Sequence, residues 1–157
     1  MNKFMIAALS GLLATTAAPA ALAQSAQPVE LKGDVKVDKV VVENGKERHV
    51  LVEPSVVVPG DKLLFATAFQ NNGTVEVKNF VVTNPIPAGV AFVRSSGDQF
   101  VVSVDGGKTW GNLAQLKVAD AAGPRAAQAS DVTHIRWILP VLAPGAKGSL
   151  SYNAVVR

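Results

Sequence analysis

Val29-Glu30-Leu31-Lys32-Gly33-Asp34-Val35-Lys36-Val37 decides the fold class of this chain. Val29, Leu31, Val35 and Val37 alternate with Glu30, Lys32, Asp34 and Lys36, so an extended backbone presents one apolar face and one charged face, as a half-buried strand does. The run Val40-Val41-Val42 breaks that alternation and predicts either a bulge or a passage into a two-sided core. Asn44-Gly45 then reads as a hairpin turn, because both residue types tolerate positive φ. The return strand is expected over residues 49–58.

The same reading extends along the chain. Pro59-Gly60-Asp61 ends the return strand, and Leu63 to Phe69 forms the next, with Leu63, Phe65, Thr67 and Phe69 on one side. Asn71-Asn72-Gly73 is a turn. A strand over 75–83 should stop at Asn84, because Pro85 and Pro87 remove amide donors and fix the backbone, making 84–89 a loop. Further strands are expected over 90–94, 99–104, 109–118, 132–139 and 149–156. Residues 119–131, rich in Ala, Gly, Pro and Ser, read as a long surface connection or a small cap. Roughly eight to ten strands with turn signals at short spacing predict an all-β, immunoglobulin-like antiparallel β-sandwich, with a closed barrel as the alternative. Its expected core is Val35, Val37, Phe65, Phe69, Phe80, Val82, Phe92, Ile135, Trp137, Tyr152 and Val156.

The 157 residues are 48% hydrophobic and include no cysteine, which excludes disulfide scaffolds, thiolate zinc sites and cysteine nucleophiles. Lys3, the apolar run from Phe4 to Leu13 and the small residues around Ala21-Leu22-Ala23 form a signal-peptide pattern, with cleavage expected before Gln24. Its apolar run is shorter than the roughly 20 residues of a spanning helix, so no membrane span is expected after cleavage. The expected organisation is a signal peptide over 1–23, a short linker over 24–28 and one sandwich domain over 29–157. Export to the periplasm or the extracellular space of a bacterium follows. Cleavage removes Lys3, so 15 basic residues become 14 against 12 acidic ones, a net charge of +2. The basic residues are scattered among acids without interleaved aromatics, which argues against nucleic acid as a partner.

Pro59-Gly60-Asp61, the aromatic strand after it, Asn71-Asn72-Gly73, residues 79–83, Asn84-Pro85-Ile86-Pro87-Ala88-Gly89-Val90 and Pro144-Gly145 together resemble the conserved repeat domain called domain of unknown function eleven. The resemblance covers about residues 55–157. It implies a β-rich, immunoglobulin-like domain of exported and surface proteins with no established catalytic role. This chain carries one copy, with Asn84 where an acidic residue is more usual.

The sharpest local motif is Ser103-Val104-Asp105-Gly106-Gly107-Lys108-Thr109-Trp110, which resembles the Asp-box of sialidases and related propellers. It is expected to staple a turn: Asp105 accepts amides of its own loop, Gly107 permits positive φ, and Trp110 packs beneath, with Ser103 as the fourth member. His49 and His134 lie far apart in sequence without further ligands at useful spacing, so no metal site and no cofactor are expected. Asp98 and Asp105 are separated by roughly 23 Å of extended chain, too far for a glycosidase pair. A cross-link between Lys62 and Asn153, of the kind some surface sandwiches form, has no sequence support.

These residues carry no catalytic set and predict a non-enzymatic structural or interaction domain of the cell envelope. Binding would fall to loops on the rigid scaffold, with Asn84, Pro85, Pro87, Gly89 and Arg125 as candidates and an envelope protein or a second copy as partner. Self-assembly by strand addition through Val29 to Val37, and glycan binding through Trp110, Trp137 and Tyr152, are the alternatives.

Overall fold

The alternating segment at the start of the domain becomes a strand that serves two neighbours in turn. The computed structural model of the chain describes residues 28–95 and 99–157; the predicted signal peptide, most of the linker and Asp98 lie outside the described residues. Strand β1 (Val29–Glu43) pairs antiparallel with β3 (Lys62–Asn71) over Val29 to Asp38, and with β2 (Lys46–Val52) on its other side over Val37 to Glu43. Asn44 and Gly45, at φ 52° and 72°, close the β1–β2 hairpin in the left-handed region that this turn requires.

The valine run neither bulges nor enters a core. β1 continues past the sandwich as one edge of a two-stranded arm, and Val40, Val42 and Leu51 are exposed there because no second layer lies over them. β2 is also shorter than expected: Pro54 cannot donate to a ladder, and the chain leaves the sheet after Val52.

Strands β4 (Val77–Pro85), β5 (Val90–Val93), β6 (Val101–Ser103), β7 (Lys117–Asp120), β8 (Gly123–Ala126), β9 (His134–Leu142) and β10 (Lys147–Val156) complete the described set. They form a five-stranded sheet in the order β2-β1-β3-β10-β5, a three-stranded sheet β4-β9-β6 and a β7–β8 hairpin. All pairings are antiparallel, and the two larger sheets pack together. Asn84 and Pro85 belong to β4, opposite Ile135 and His134, where a loop was expected. β4 is the edge of its sheet, and a terminal proline there leaves no ladder bond unmade.

Residues 109–118 are not one strand: only Lys117 and Val118 are in a ladder, as the start of β7. A 3-10 turn at Leu113–Gln115, begun by the Asn112 side chain accepting the Ala114 N–H, separates the Trp110 region from β7. The expected connection over 119–131 instead holds most of the β7–β8 hairpin and a second 3-10 turn at Ala129–Asp131.

The core fills the space between the sheets with Val37, Leu63, Val82, Phe92, Ile135, Trp137, Tyr152 and their neighbours. Val35, Phe65, Phe80 and Val156 pack against it half-buried, whereas Phe69 lies outside that cluster, its ring over Gly148.

Burial pushes the Tyr152 phenol up to about 12. In the unfolded chain the phenol ionises near 10, so stability is full below about pH 10 and falls as pH rises through about 12, by about 2–3 kcal/mol. Urea unfolding across this range should show the loss in the native protein and lack it in Tyr152→Phe. Parallel curves for the two proteins would refute the assignment.

Candidate functional site

Two structures converge at the loop-bearing end of the sandwich, a stapled turn and a groove. In the turn, Ser103 sits fully buried at the end of β6 and donates its hydroxyl to Asp105 Oδ1 at 2.7 Å, while accepting the Gly107 N–H at 2.9 Å. Asp105 Oδ1 also accepts the N–H groups of Lys108 and Thr109, and Oδ2 accepts the Thr109 hydroxyl at 2.6 Å. These donors, led by Thr109 and Ser103, hold the Asp105 carboxyl well below the usual carboxylate range. Gly107 takes φ 87°, and the Trp110 indole N–H returns to its carbonyl at 2.9 Å.

Donors of the chain itself therefore surround the Asp105 carboxylate. Among the described residues no group of three or more His, Asp or Glu side chains gathers to hold a metal ion. Asp105→Ala should free the Lys108 and Thr109 amides, raising their hydrogen-exchange rates while β9 amides stay protected. Unchanged exchange at both amides would show that the carboxylate does not hold the turn.

The segment before β9 meets this turn directly, and two others join behind it. Gly106 donates its N–H to Thr133 Oγ1, and Thr133 donates both its N–H and its hydroxyl to the Ser103 carbonyl. Ile86 N–H reaches the Thr133 carbonyl, and Arg157 N–H reaches the carbonyl of Gly89. The loop after β4 is thus tied to β9 at one side and to the C-terminal residue at the other.

Arg125 makes a separate cluster on the β7–β8 hairpin. Its guanidinium forms a two-pronged pair with Asp131 at 2.7 and 2.8 Å, contacts Asp120 at 3.1 Å and reaches the Ala126 carbonyl. The pair raises the guanidinium above its ordinary value and lowers Asp131 to about 2. Arg125 clasps the β7–β8 hairpin to the turn at Ala129–Asp131. A depressed carboxyl contributes stability above its unfolded value, near 4, and loses it as pH falls through its folded value. Acid loosening of this clasp is therefore expected below about pH 4, complete near 2, visible as loss of amide protection at Gln128, whose N–H also bonds Asp131.

The groove opens beside the loop. The three-stranded sheet ends at β4, one strand short of β1, and leaves the inner face of β1 and β3 uncovered there. Leu31, Gly33, Val35, Phe65, Thr67 and Tyr152 form its floor, and Asn84, Pro85 and Pro87 its wall, around about 570 Å³. The Phe65 ring stacks on Tyr152 at 4.9 Å, and the Asn84 amide donates to the Thr67 hydroxyl at 2.8 Å. Three of the five loop residues singled out from sequence line this groove. Gly89 and Arg125 lie elsewhere at the same end. Leu31 and Phe65 were not singled out as binding residues because alternation places both on the apolar strand face, Phe65 in the expected core, and only the sheet order leaves Leu31 exposed and Phe65 half-buried at the groove.

Arg136 stacks over the Trp110 ring at 3.7 Å from its centroid and donates to the Thr83 hydroxyl, while Trp137 and Tyr152 are buried. His49 bonds Asp38 on the β1–β2 arm, and His134 packs edge-on to Trp110, so the two histidines belong to different sheets. Asn153 stands opposite Leu64, with its amide on Ser95, whereas Lys62 stands opposite Val155. No helix among the described residues is long and apolar enough to cross a membrane.

No family model matches the chain, and neither a curated protein nor a solved structure matches it.

Proposed function

We propose that the protein is an exported, non-enzymatic interaction domain of the bacterial cell envelope, built as an immunoglobulin-like sandwich. The observation that carries this reading is the groove in which Asn84, Pro85 and Pro87 face the apolar floor of Phe65 and Leu31. Apolar concavities walled by fixed loops are where partners bind on stable scaffolds. The signal-peptide pattern of residues 1–23 and the resemblance to domain of unknown function eleven support the compartment and the fold family. The even scatter of charge in the sequence disfavours nucleic acid.

The test has two parts. Fractionation of the native host is expected to yield a chain beginning at Gln24 outside the cytoplasm; a cytoplasmic chain that retains residues 1–23 overturns the compartment. A photo-reactive amino acid at Pro87 is expected to cross-link an envelope component, while one at Ile138, on the outer face of the three-stranded sheet, does not. Equal labelling at both positions, or none at Pro87, overturns the binding face.

A second reading, self-assembly by strand addition, is favoured by one observation. β1 pairs with its own β3, yet among the described residues it has no neighbour on the opposite side before Val37.

A further inference from the structure

We infer that the open edge of β1 is a self-complementary interface, and that two copies of this chain join antiparallel through residues 30–36 with Gly33 opposite Gly33. The inference rests on the strand-addition reading and specifies its strand, register and symmetry.

The backbone supplies the first argument. Asn72 N–H bonds Pro28 on the β1 side of β3, and Asn71 N–H bonds Ala146 on the β10 side. Carried through the β1–β3 register, this alternation turns the N–H and C=O groups of Leu31, Gly33 and Val35 toward the open edge. Of these three amides, Val35 N–H is covered by its neighbour's side chain, at 2.9 Å from Asp34 Oδ1. An exposed row of such groups is a template for another strand.

The charge sequence supplies the second. Glu30, Lys32, Asp34 and Lys36 alternate in sign along the outward face. In a two-fold antiparallel pairing centred on Gly33, Glu30 meets Lys36 and Lys32 meets Asp34, each twice, while Leu31 meets Val35 on the inner face. Every charged residue then faces its opposite. Centring on Lys32 sets Lys32 against itself and Glu30 against Asp34. Centring on Asp34 sets Asp34 against itself and Lys32 against Lys36. Like charges directly opposite are destabilising. A register centred on Leu31 pairs fewer charges, and one centred on Val35 sets residues 29–33 of the second copy against positions that β2 already pairs, whereas the Gly33 register brings only Val29 to that boundary, opposite Val37, where the second strand must leave the ladder.

The edge is thus bounded by β2 at one end and specified by charge along its length. Joining it makes one continuous sheet from two five-stranded ones, with the closed two-fold symmetry of most soluble dimers. On association Val35 N–H passes to the second copy's Leu31 carbonyl, and Asp34 turns to the second copy's Lys32.

Sedimentation velocity on the protein purified from its native host tests this across a wide concentration range. A reversible dimer is expected. Lys32→Glu and Asp34→Lys should each weaken it roughly tenfold or more, because each places like charges together twice. The double variant should restore it, because exchanging the two charges within one strand exchanges them in the second copy as well, and each again faces its opposite. Circular dichroism of each variant should match the native spectrum, since these side chains point away from the core. A dimer indifferent to all three variants would overturn the register and leave self-assembly by another surface. A monomer at every concentration would overturn both. Recovery in the double variant is the result that no other register gives.

Discussion

Replacing Asn71 by alanine is expected to lower the free energy of unfolding by about 2–4 kcal/mol, measured as a fall in the urea midpoint at unchanged slope. Asn71 is fully buried at the end of β3. The two hydrogens of its side-chain amide serve three carbonyls, those of Val75 at 3.0 Å, Leu142 at 2.9 Å and Ala143 at 3.2 Å. Its Oδ1 accepts the Gly73 N–H at 3.0 Å, and its backbone bonds Ala146 and Gly145. One side chain therefore joins the end of β3 in the larger sheet to the end of β9 in the smaller one. Truncation leaves these groups inside the protein without their partner, and a buried polar group left unpaired costs more than an average hydrogen bond. Asn71→Asp, nearly the same shape, should be at least as damaging at neutral pH, because its carboxylate would face carbonyl oxygens. A midpoint unchanged within error for both variants would refute this account.

Asn71 also shows where the sequence was and was not legible. Asn71-Asn72-Gly73 marks a turn through residue chemistry alone, and the turn is present. That its first residue pins two sheets together depends on Leu142 and Ala143, which are 71 and 72 positions away. Alternation likewise identified the strand faces of Val29 to Val37, Leu63 to Phe69 and Leu150 to Val156, because a period of two is set locally by the pleat. Strand ends were less legible. β4 runs on through Pro85 because it lies at an edge, and the strand expected over Thr109 to Val118 gives way to turns before β7 begins at Lys117, because Asp105 and Asn112 capture nearby amides. Lateral order was not legible at all. The groove over Leu31 follows from the smaller sheet ending at β4, the open edge of β1 follows from β2 pairing with it only from Val37 onward, and pairing order has no signature in hydropathy.

Trp137→Ala is expected to have the largest effect, about 3–5 kcal/mol of lost stability, and it should disturb the groove and the Asp105 turn as well. Trp137 is buried on β9 and, like the half-buried Phe80 on β4, is an aromatic of the smaller sheet that faces the larger one. Its ring meets Phe100 edge-on at 5.3 Å and lies 6.3 Å from Tyr152. Tyr152 stacks on Phe65 in the groove floor, and Phe100 meets Phe92 at 5.8 Å. The five rings form a continuous path from the groove to the strand that enters the Asp105 turn. Removing the central ring opens a cavity with neighbours on both sheets, so relaxation by one side alone cannot fill it. Trp137→Phe keeps the aromatic contact at smaller volume and should lose markedly less. Because Trp110 is the other tryptophan, fluorescence of Trp137→Ala reports the stapled turn directly. A red shift of Trp110 emission below the unfolding transition would show that the core holds the turn in place, whereas an unshifted spectrum in a destabilised protein would show that the hydrogen bonds of Asp105 and Ser103 are sufficient by themselves.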